Sequence, residues 1–240
     1  MIQPETQIPD RLASGFEPYN DLGGAELLAA LIGDPMFGRI AVVSSFGVES
    51  AVLLSLVAAI DSSLPVIFLN TGKHFPETLD YVEKLATEIG IEDLRIQRPD
   101  LDELQIHDHT GDLWKSSPNA CCELRKTIPL NKALEGFDSW ISGRKRYHGD
   151  DRSGLDSVEW VNGRYKINPL AHWAPEQIRQ EFKLRDLPAH PLLKQGYQSI
   201  GCAPCTRATR SGEGPRDGRW ADQGKIECGI HNRPVQGLNI

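Results

Sequence analysis

Short apolar runs alternate with helical patterns along the first 140 residues. Residues 40–45 and 65–70 have the pattern of buried strands, and each is followed by a polar loop. Helical patterns come next, over residues 50–60 and over Pro76–Ile89, where proline occupies the first turn. Because strands alternate with helices, the pattern predicts a parallel sheet with helices on both faces.

The same alternation continues further along the chain. Two more strand candidates and a helix between them follow, at Leu94–Gln97, residues 138–142 and residues 121–134. Asn162-Gly163 is typical of a tight hairpin turn and separates two short strand candidates, Val158–Val161 and Arg164–Ile167. The sequence therefore predicts an α/β fold with a doubly wound, mostly parallel sheet.

The C-terminal segment differs from the rest in composition. From Ser211 onward Gly, Arg and Asp dominate and apolar residues are sparse. Such a segment buries little apolar surface and is expected to move until a ligand binds. We therefore predict one α/β domain over residues 1–210 and a mobile tail over residues 211–240.

The composition and charge of the chain argue against a membrane protein and against a nucleic-acid-binding protein. The chain has 240 residues, 40% of them hydrophobic, and a net charge of −7. It contains no apolar run near the roughly 18 residues of a membrane span, and its N-terminus, rich in Pro and Glu, does not resemble a signal peptide. We therefore expect a cytoplasmic protein that binds neither membranes nor nucleic acid. Basic clusters at residues 144–146 and 207–219 instead favour a small anionic ligand.

Two polar loops are expected at the carboxyl ends of parallel strands, where ligands bind in such sheets. The first loop offers glycine for close backbone approach, serine hydroxyls as donors, and the N-terminus of the next helix. Alternatively, the serines and the glycine serve only to shape the turn between strand and helix. The candidate contacts to a phosphate or sulfate are Ser45, Gly47 and Ser50 in this loop, and Thr71 and Gly72 in its counterpart.

Five cysteines fall into three groups: the adjacent pair Cys121-Cys122, the clip of Cys202 and Cys205, and the lone Cys228. Two distant pairs can supply four thiolates to an iron-sulfur cluster or to zinc. Adjacent cysteines favour a cluster, because neighbouring side chains on a helix diverge by about 100° and a cluster offers a separate iron to each sulfur. Zinc and unliganded thiols remain alternatives, and a disulfide between adjacent cysteines would be strained.

Five motifs occur in a recognisable order: SFGVES at 45–50, NTGKHFPET at 70–78, CCELRK at 121–126, SIGCAPCT at 199–206 and ECGIH at 227–231. In this order the sequence resembles the assimilatory adenylyl-sulfate (APS) reductases, the cluster-bearing branch of the APS and phosphoadenylyl-sulfate (PAPS) reductase family. The resemblance covers residues 40–231. It implies an adenine-nucleotide alpha-hydrolase-like fold and reduction of APS to sulfite and AMP, with thioredoxin or a similar dithiol as the donor.

The resemblance also implies roles for particular residues. A [4Fe-4S] cluster would be held by the two cysteine pairs, Cys121, Cys122, Cys202 and Cys205. The substrate's anionic groups would be bound by basic residues of two segments, Lys145, Arg146, Arg216 and Arg219. His231 is a candidate for orienting the thiolate or the phosphosulfate. The oligomeric state is left open.

Cys228 is the candidate nucleophile. The sulfuryl sulfur of APS is electrophilic because AMP is a good leaving group, so a thiolate can attack it and retain the sulfonate as S-sulfocysteine. The basic segment before Cys228 and the histidine after it favour a thiolate. Because no second cysteine lies nearby in sequence, an external dithiol is needed to release sulfite, and a mobile tail would carry the thiol between substrate and partner.

Lys126 and two departures from the family pattern refine this picture. Lys126 follows the cysteine pair by about one helical turn, so its cation could face both the cluster and the substrate sulfate. Asn70 stands where the family pattern has aspartate, and Tyr147-His148 falls in a segment where the pattern has Asp-Gln-Ser. Because this second change alters the local chemistry, Tyr147 and His148 are not among our candidate contacts.

Three alternatives to APS reduction remain at the level of sequence. A PAPS reductase, or an enzyme using both nucleotides, would need a further basic contact for the 3′-phosphate. A non-catalytic iron-sulfur or zinc redox sensor would have no need of Cys228. An ATP-using pyrophosphatase of the same fold group would need a fuller Gly-rich loop than residues 45–48 provide.

Overall fold

The chain folds around one sheet whose strands run in the order β3-β2-β1-β4-β6-β5 within the residues that the structure describes. The structure is a computed structural model, and it describes residues 16–149, 152–221, 225 and 227–231. The strands are β1 Ile40–Ser44, β2 Val66–Leu69, β3 Leu94–Gln97, β4 Ser139–Ser142, β5 Val158–Val161 and β6 Arg164–Ile167. Neighbours pair in parallel except β5, which runs antiparallel to β6.

Helices cover both faces of this sheet. The α-helices are α1 Glu17–Asn20, α2 Gly24–Leu31, α3 Ser50–Ala58, α4 Pro76–Ile89, α5 Leu101–His107, α6 Leu113–Ser116, α7 Pro118–Cys122, α8 Ile128–Ala133 and α9 Pro175–Leu184. A π-helical turn, Glu123–Thr127, joins α7 to α8. Short 3₁₀ turns occur at Pro35–Phe37, Arg146–His148, Pro191–Gln195 and Ala203–Cys205.

Alternate residues of the central strands enter two separate cores. On β1, Val42 packs into the cluster that contains the apolar face of α2, α3 and α4, whereas Ala41 and Val43 pack with Leu130 and Leu134 on the other side. This alternation follows from the two-residue period of a strand. The predicted doubly wound, mostly parallel α/β fold is therefore confirmed.

The predicted elements are present with small differences at their ends. Helix α4 begins at Pro76 and ends before Gly90, which takes a left-handed conformation (φ 76°). Asn162 and Gly163 both have positive φ, as the predicted hairpin turn between β5 and β6 requires. The segment predicted as a helix over residues 121–134 is helical but contains the π turn.

The described part of the C-terminal segment packs against the domain. Thr206 and Arg219 form an antiparallel bridge, and the Arg207 amide donates to the carbonyl of Gly218. Trp220 is 5% exposed. The boundary at residue 210 and the movement of residues 211–240 stay predictions. No helix among the described residues has both the length and the apolar character to cross a bilayer.

Candidate active site

A cavity of about 200 Å³ opens at the carboxyl ends of the central parallel strands. Its walls include residues at the ends of β1, β2 and β4, and it is closed by residues 198–201, 215–220 and 227–231. Of the residues predicted from sequence, the structure brings together Ser45, Gly47, Ser50, Lys126, Lys145, Arg216, Arg219, Cys228 and His231. This is the position at which open α/β sheets bind ligands.

The loop between β1 and α3 is held in shape by its own serines. The Ser44 hydroxyl accepts from the Phe46 amide at 3.1 Å, and the Ser50 hydroxyl accepts from the Gly47 amide at 3.0 Å. Phe46 has a positive φ of 49° and is fully buried, which leaves Ser45 exposed at the rim. The loop is therefore preorganised, with Ser45 and Gly47 on the cavity wall.

Positive charge dominates the cavity. Among its described lining residues, six cations accompany two carboxylates. The cations are Lys126, Arg144, Lys145, Arg152, Arg216 and Arg219, and the carboxylates are Glu49 and Glu227. Such an excess, in a site partly shielded from water, favours an anionic ligand.

Lys145 is already paired within this cavity. Its Nζ lies 2.9 Å from the Glu49 carboxylate and donates to the Gly143 carbonyl at 3.0 Å, and the residue is 4% exposed. Burial raises the pKa of Glu49, but a hydrogen bond from His148, the charge of Lys145 and a hydrogen bond from Tyr147 outweigh it, so the pKa lies well below the usual range. Lys145 therefore shares its charge with a permanent carboxylate.

Arg146 lies outside the cavity. Its Nε donates to the Leu155 carbonyl at 2.7 Å, and its Nη2 is 3.6 Å from an Asp156 oxygen. The cavity wall includes Arg152 and His148, which are not among the contacts predicted from sequence. Arg152 Nη1 is 3.2 Å from His148 Nδ1, so these two residues form one polar patch.

Thr71 and Gly72 are not among the lining residues of the large cavity, and Thr71 contacts one of the paired cysteines. The Thr71 hydroxyl is fully buried, lies 3.3 Å from the Cys202 sulfur, and accepts from the Lys73 amide. Asn70 closes this turn by accepting from the Gly72 amide at 3.0 Å. The amide of Asn70 thus performs the turn-closing role that an aspartate would also perform, without its charge.

Cys228 is half-buried on the cavity wall, between two anchored residues. On one side, Glu227 is paired with Arg152 at 2.6 Å. On the other side, the His231 ring stacks on Trp140 with centroids 5.6 Å apart and planes 3° from parallel. These contacts place the thiol at the edge of the cavity that holds the cations.

Trp140 and Lys166 form the support on which His231 rests. Lys166 is 1% exposed, and its Nζ lies 5.2 Å from the Trp140 ring centroid. Burial and the neighbouring Arg144 lower the pKa of Lys166 to about 8. Burial, with Lys166 and Arg144, also lowers the pKa of His231 well below its ordinary value, so the stacked imidazole is neutral at pH 7.

The four remaining cysteines border a second, smaller cavity. Cys121 and Cys122 end α7, Cys202 lies beside Thr71, and Cys205 ends the 3₁₀ turn that follows. None of the five cysteines forms a disulfide bond. Burial, followed by the neighbouring thiols, raises the pKa of Cys121 to about 12.

Lys126 belongs to the walls of both cavities, as do Arg219 and Trp220. Burial raises the pKa of Cys202, but the charge of Lys126, the Thr71 hydroxyl and other nearby donors outweigh it and lower the net value. Reciprocally, burial lowers the pKa of Lys126, but the Cys202, Cys228 and Cys122 sulfurs raise it above the ordinary value. Lys126 thus connects the cysteine pairs electrostatically to the site of Cys228.

A buried ion pair supports the cysteine-bearing helix. The Asp108 carboxylate is 2.5 Å from Arg125 Nη2 and 2.9 Å from its Nε, and the two side chains are 0% and 8% exposed. Arg125 also donates to the Thr71 carbonyl at 2.8 Å. This pair therefore ties the π turn to the loop after β2.

Replacing Asp108 by asparagine is expected to lower the free energy of unfolding by about 3 kcal/mol, because it leaves a buried guanidinium without its countercharge. Urea denaturation followed by tryptophan fluorescence measures the loss. Asp112→Asn is the matched control, since Asp112 is 53% exposed and pairs with Lys115 at the surface, where about 0.5 kcal/mol is expected. Equal losses in the two variants would contradict this interpretation.

Several site residues escaped the sequence analysis. Arg152, Trp140 and Lys166 belong to none of the five motifs, and Glu49 and Glu227 were seen only as members of the first and last motifs. A local signal existed for Glu227, which directly precedes the candidate nucleophile. For the others the functional position depends on distant contacts, such as the Arg152–Glu227 pair, which spans 75 residues.

Comparison with known proteins agrees with the geometry. Residues 39–208 match the model of the phosphoadenosine phosphosulfate reductase domain, and the chain belongs to this family. Its relatives include proteins named adenosine 5′-phosphosulfate reductase. One from Chelativorans sp. is 46% identical over 84% of this chain and 82% of that protein, and one from Mesorhizobium japonicum is 43% identical over 95% and 89%.

A solved structure resembles the chain as well. The phosphoadenylyl-sulfate reductase of Candida auris, solved as a phosphate complex, superposes with a TM-score of 0.65 at 27% identity. The match covers 78% of this chain and 91% of that one. The family expected from the sequence motifs is therefore confirmed, together with the fold class.

Proposed function

We propose that this protein reduces adenosine 5′-phosphosulfate to sulfite and AMP in assimilatory sulfate reduction and cysteine biosynthesis. The names of its relatives support this substrate. The observation that carries the proposal is that Cys228 borders the same cavity as Lys126, Arg216 and Arg219. A thiol beside several cations suits attack on a sulfur that is bonded to anionic oxygens.

The first step transfers the sulfonate to the protein. The Cys228 thiolate attacks the sulfuryl sulfur, an S–S bond forms, and the bond from sulfur to the bridging oxygen breaks. The electron pair of that bond leaves with AMP, whose phosphate carries the charge. Arginine side chains on the cavity wall stabilise this developing charge, with Arg216 and Arg219 as the proposed contacts.

The second step releases sulfite. An external thiolate attacks the Cys228 sulfur, sulfite departs with the electron pair of the broken S–S bond, and a mixed disulfide remains. A second thiol of the same partner then reduces that disulfide and regenerates Cys228. Thioredoxin, or a similar dithiol protein in the cytoplasm, fits this requirement, and movement of the tail would expose Cys228 to it.

The four cysteines of the smaller cavity fit a [4Fe-4S] cluster. All four line this one cavity. Cys121 and Cys122 are adjacent on α7, so their side chains diverge by about 100°, which suits a cluster that gives each sulfur its own iron better than a single zinc ion. The ligands would be Cys121, Cys122, Cys202 and Cys205. When bound, the cluster would supply a localised charge next to Lys126, since neither thiol exchange step takes an electron from iron.

Other residues have proposed binding roles. Ser45, Gly47 and Ser50 are proposed to bind the nucleotide phosphate, and Lys126 and His231 the sulfate end; this is consistent with all five lining the same cavity. Lys145 contributes charge that is shared with Glu49. Thr71 is proposed to act on the cysteine pairs instead, through its contact with Cys202, and Gly72 shapes the same turn by donating its amide to Asn70. The Arg146 side chain donates to the Leu155 carbonyl and is proposed to support the segment around Leu155.

Labelled nucleotides test the proposal directly. Anaerobically purified protein is incubated with APS or PAPS carrying labelled sulfur, without a reductant, and the Cys228 peptide is isolated. We expect label from APS on this peptide and its release as sulfite when reduced thioredoxin is added. Heat-inactivated protein is the control for non-enzymatic transfer.

PAPS reduction is the second candidate, favoured by the Candida auris structure and by the family model. Label from PAPS alone would establish that activity, and label from both nucleotides would show dual use. Label from neither, in protein that contains iron, would refute a reductase and favour a redox sensor.

A further inference from the structure

Glu227, the residue before the candidate nucleophile, lies between two arginines of the cavity wall. Its carboxylate oxygen Oε1 accepts from Arg152 Nε at 2.6 Å and from Arg216 Nη2 at 3.2 Å. The side chains are 14% exposed for Glu227, 10% for Arg152 and 20% for Arg216. One carboxylate thus holds two largely buried cations of the site.

This carboxylate is charged at neutral pH. Burial raises the pKa of Glu227, but the hydrogen bond and charge of Arg152, together with Arg216 and Arg144, outweigh it and lower the pKa. An oxygen that accepts from two guanidinium groups has the same contacts that a phosphate or sulfate oxygen would make. The Glu227 carboxylate therefore makes the same hydrogen bonds with these arginines that a bound phosphate or sulfate would make.

We propose that Glu227 is a positioning residue whose carboxylate binds Arg152 and Arg216 as an anionic ligand would, and that a nucleotide phosphate or sulfate competes with it for these two arginines. This inference rests on the proposed function, because it assumes an anionic nucleotide in this cavity. Since Cys228 is the next residue, binding of the anion shifts the thiol, while the stack of His231 on Trp140 keeps the end of the motif docked.

Competition has a direct energetic consequence. When a carboxylate of the protein is bound to the cation that a ligand needs, the ligand must displace that carboxylate. The free energy of the internal contact is then subtracted from the binding free energy of the ligand. Removing the charge of Glu227 while keeping its shape should therefore tighten binding of an anion. A residue that only held Cys228 in place, without competing, would give no such gain.

The test compares Glu227→Gln with wild type in two measurements. Affinity for AMP at fixed ionic strength is measured by calorimetry, and we expect roughly tenfold tighter binding in the variant. Alkylation of Cys228 by iodoacetamide, without nucleotide, is followed by mass spectrometry of its peptide. We expect it to be several-fold faster, because the segment is held less firmly by a neutral amide.

Two further variants isolate the charge. Glu227→Asp keeps the carboxylate and should bind AMP nearly as wild type does. Glu213→Gln removes a carboxylate of the same segment that pairs with Arg207 outside the cavity, and it should change neither measurement. AMP affinity that is unchanged or weaker in Glu227→Gln would overturn the proposal.

These readouts separate the inference from the proposed function. Suppose that Glu227→Gln binds AMP more tightly but that neither nucleotide labels Cys228. That result would support competition between Glu227 and the anion and would refute the proposed reductase activity. Label on Cys228 from APS, with unchanged AMP affinity in the variant, would support the reductase and overturn the competition.

Discussion

Replacing Cys228 by serine is expected to abolish sulfite formation from APS, with a loss of at least about a thousandfold in kcat. A serine hydroxyl is a far weaker nucleophile than a thiolate, and it cannot be regenerated by thiol exchange. The other cysteines cannot substitute, because they border the smaller cavity rather than the one that Cys228 lines. Sulfite release is measured with reduced thioredoxin in excess.

The same variant supplies its own control for folding. Because Cys228 belongs to neither cysteine pair, iron content and AMP affinity should match those of wild type. Cys228→Ala should behave like the serine variant, since both lack a thiol. Sulfite formation above about one tenth of the wild-type rate, in either variant, would refute the assignment of Cys228 as nucleophile.

The fold was largely readable from local patterns. Strands β1 and β2 consist of apolar residues that can be buried only in a sheet with helices on both faces, and α4 carries its own start and stop signals in Pro76 and Gly90. The π turn was not predicted, because the side chains of residues 123–127 have an ordinary helical composition. Within this turn Arg125 contacts Asp108 and Thr71, which are distant in sequence and which the local pattern does not reveal.

The candidate site was predictable only where a motif carries its chemistry. Spacing and residue type were enough to group the cysteines and to place the loop around Gly47 at the end of a strand, whereas the roles proposed for both came from the family resemblance. Thr71 was expected to face the nucleotide, yet its hydroxyl meets Cys202, which is 131 positions away. The side of a loop that a hydroxyl faces depends on the segment packed against it, and sequence order does not reveal that partner.

Charged residues were hardest to place for a related reason. Arg146 and Arg152 have the same chemistry, but the first is bound to the Leu155 carbonyl and the second lines the cavity. Lys145 lies in the cavity as expected, yet its ammonium group forms a salt bridge with Glu49. Whether a cation is available to a ligand therefore depends on its nearest carboxylate, and pairs such as Lys145–Glu49 form between distant segments.

Substitution of Lys126 is expected to have the second largest effect on turnover. Replacing it by methionine is expected to lower kcat/KM for APS by about a hundredfold to a thousandfold, because the variant loses a preorganised cation facing the developing negative charge. Methionine preserves much of the length and volume of the side chain. Since Lys126 borders both cavities, its removal should also alter the visible absorption spectrum of the proposed cluster while leaving iron content unchanged.

Lys132→Met is the matched control, because Lys132 lies on α8 of the same helical segment and is exposed. It should change neither turnover nor spectrum. A Lys126→Met protein with normal turnover and an unaltered spectrum would show that Lys126 acts on neither the substrate nor the cysteine pairs. A loss of turnover accompanied by a normal spectrum would confine its role to the substrate, whereas loss of iron would make it structural. Only the combined change, at full iron content, supports an electrostatic link between the cysteine pairs and the sulfonate-accepting thiol.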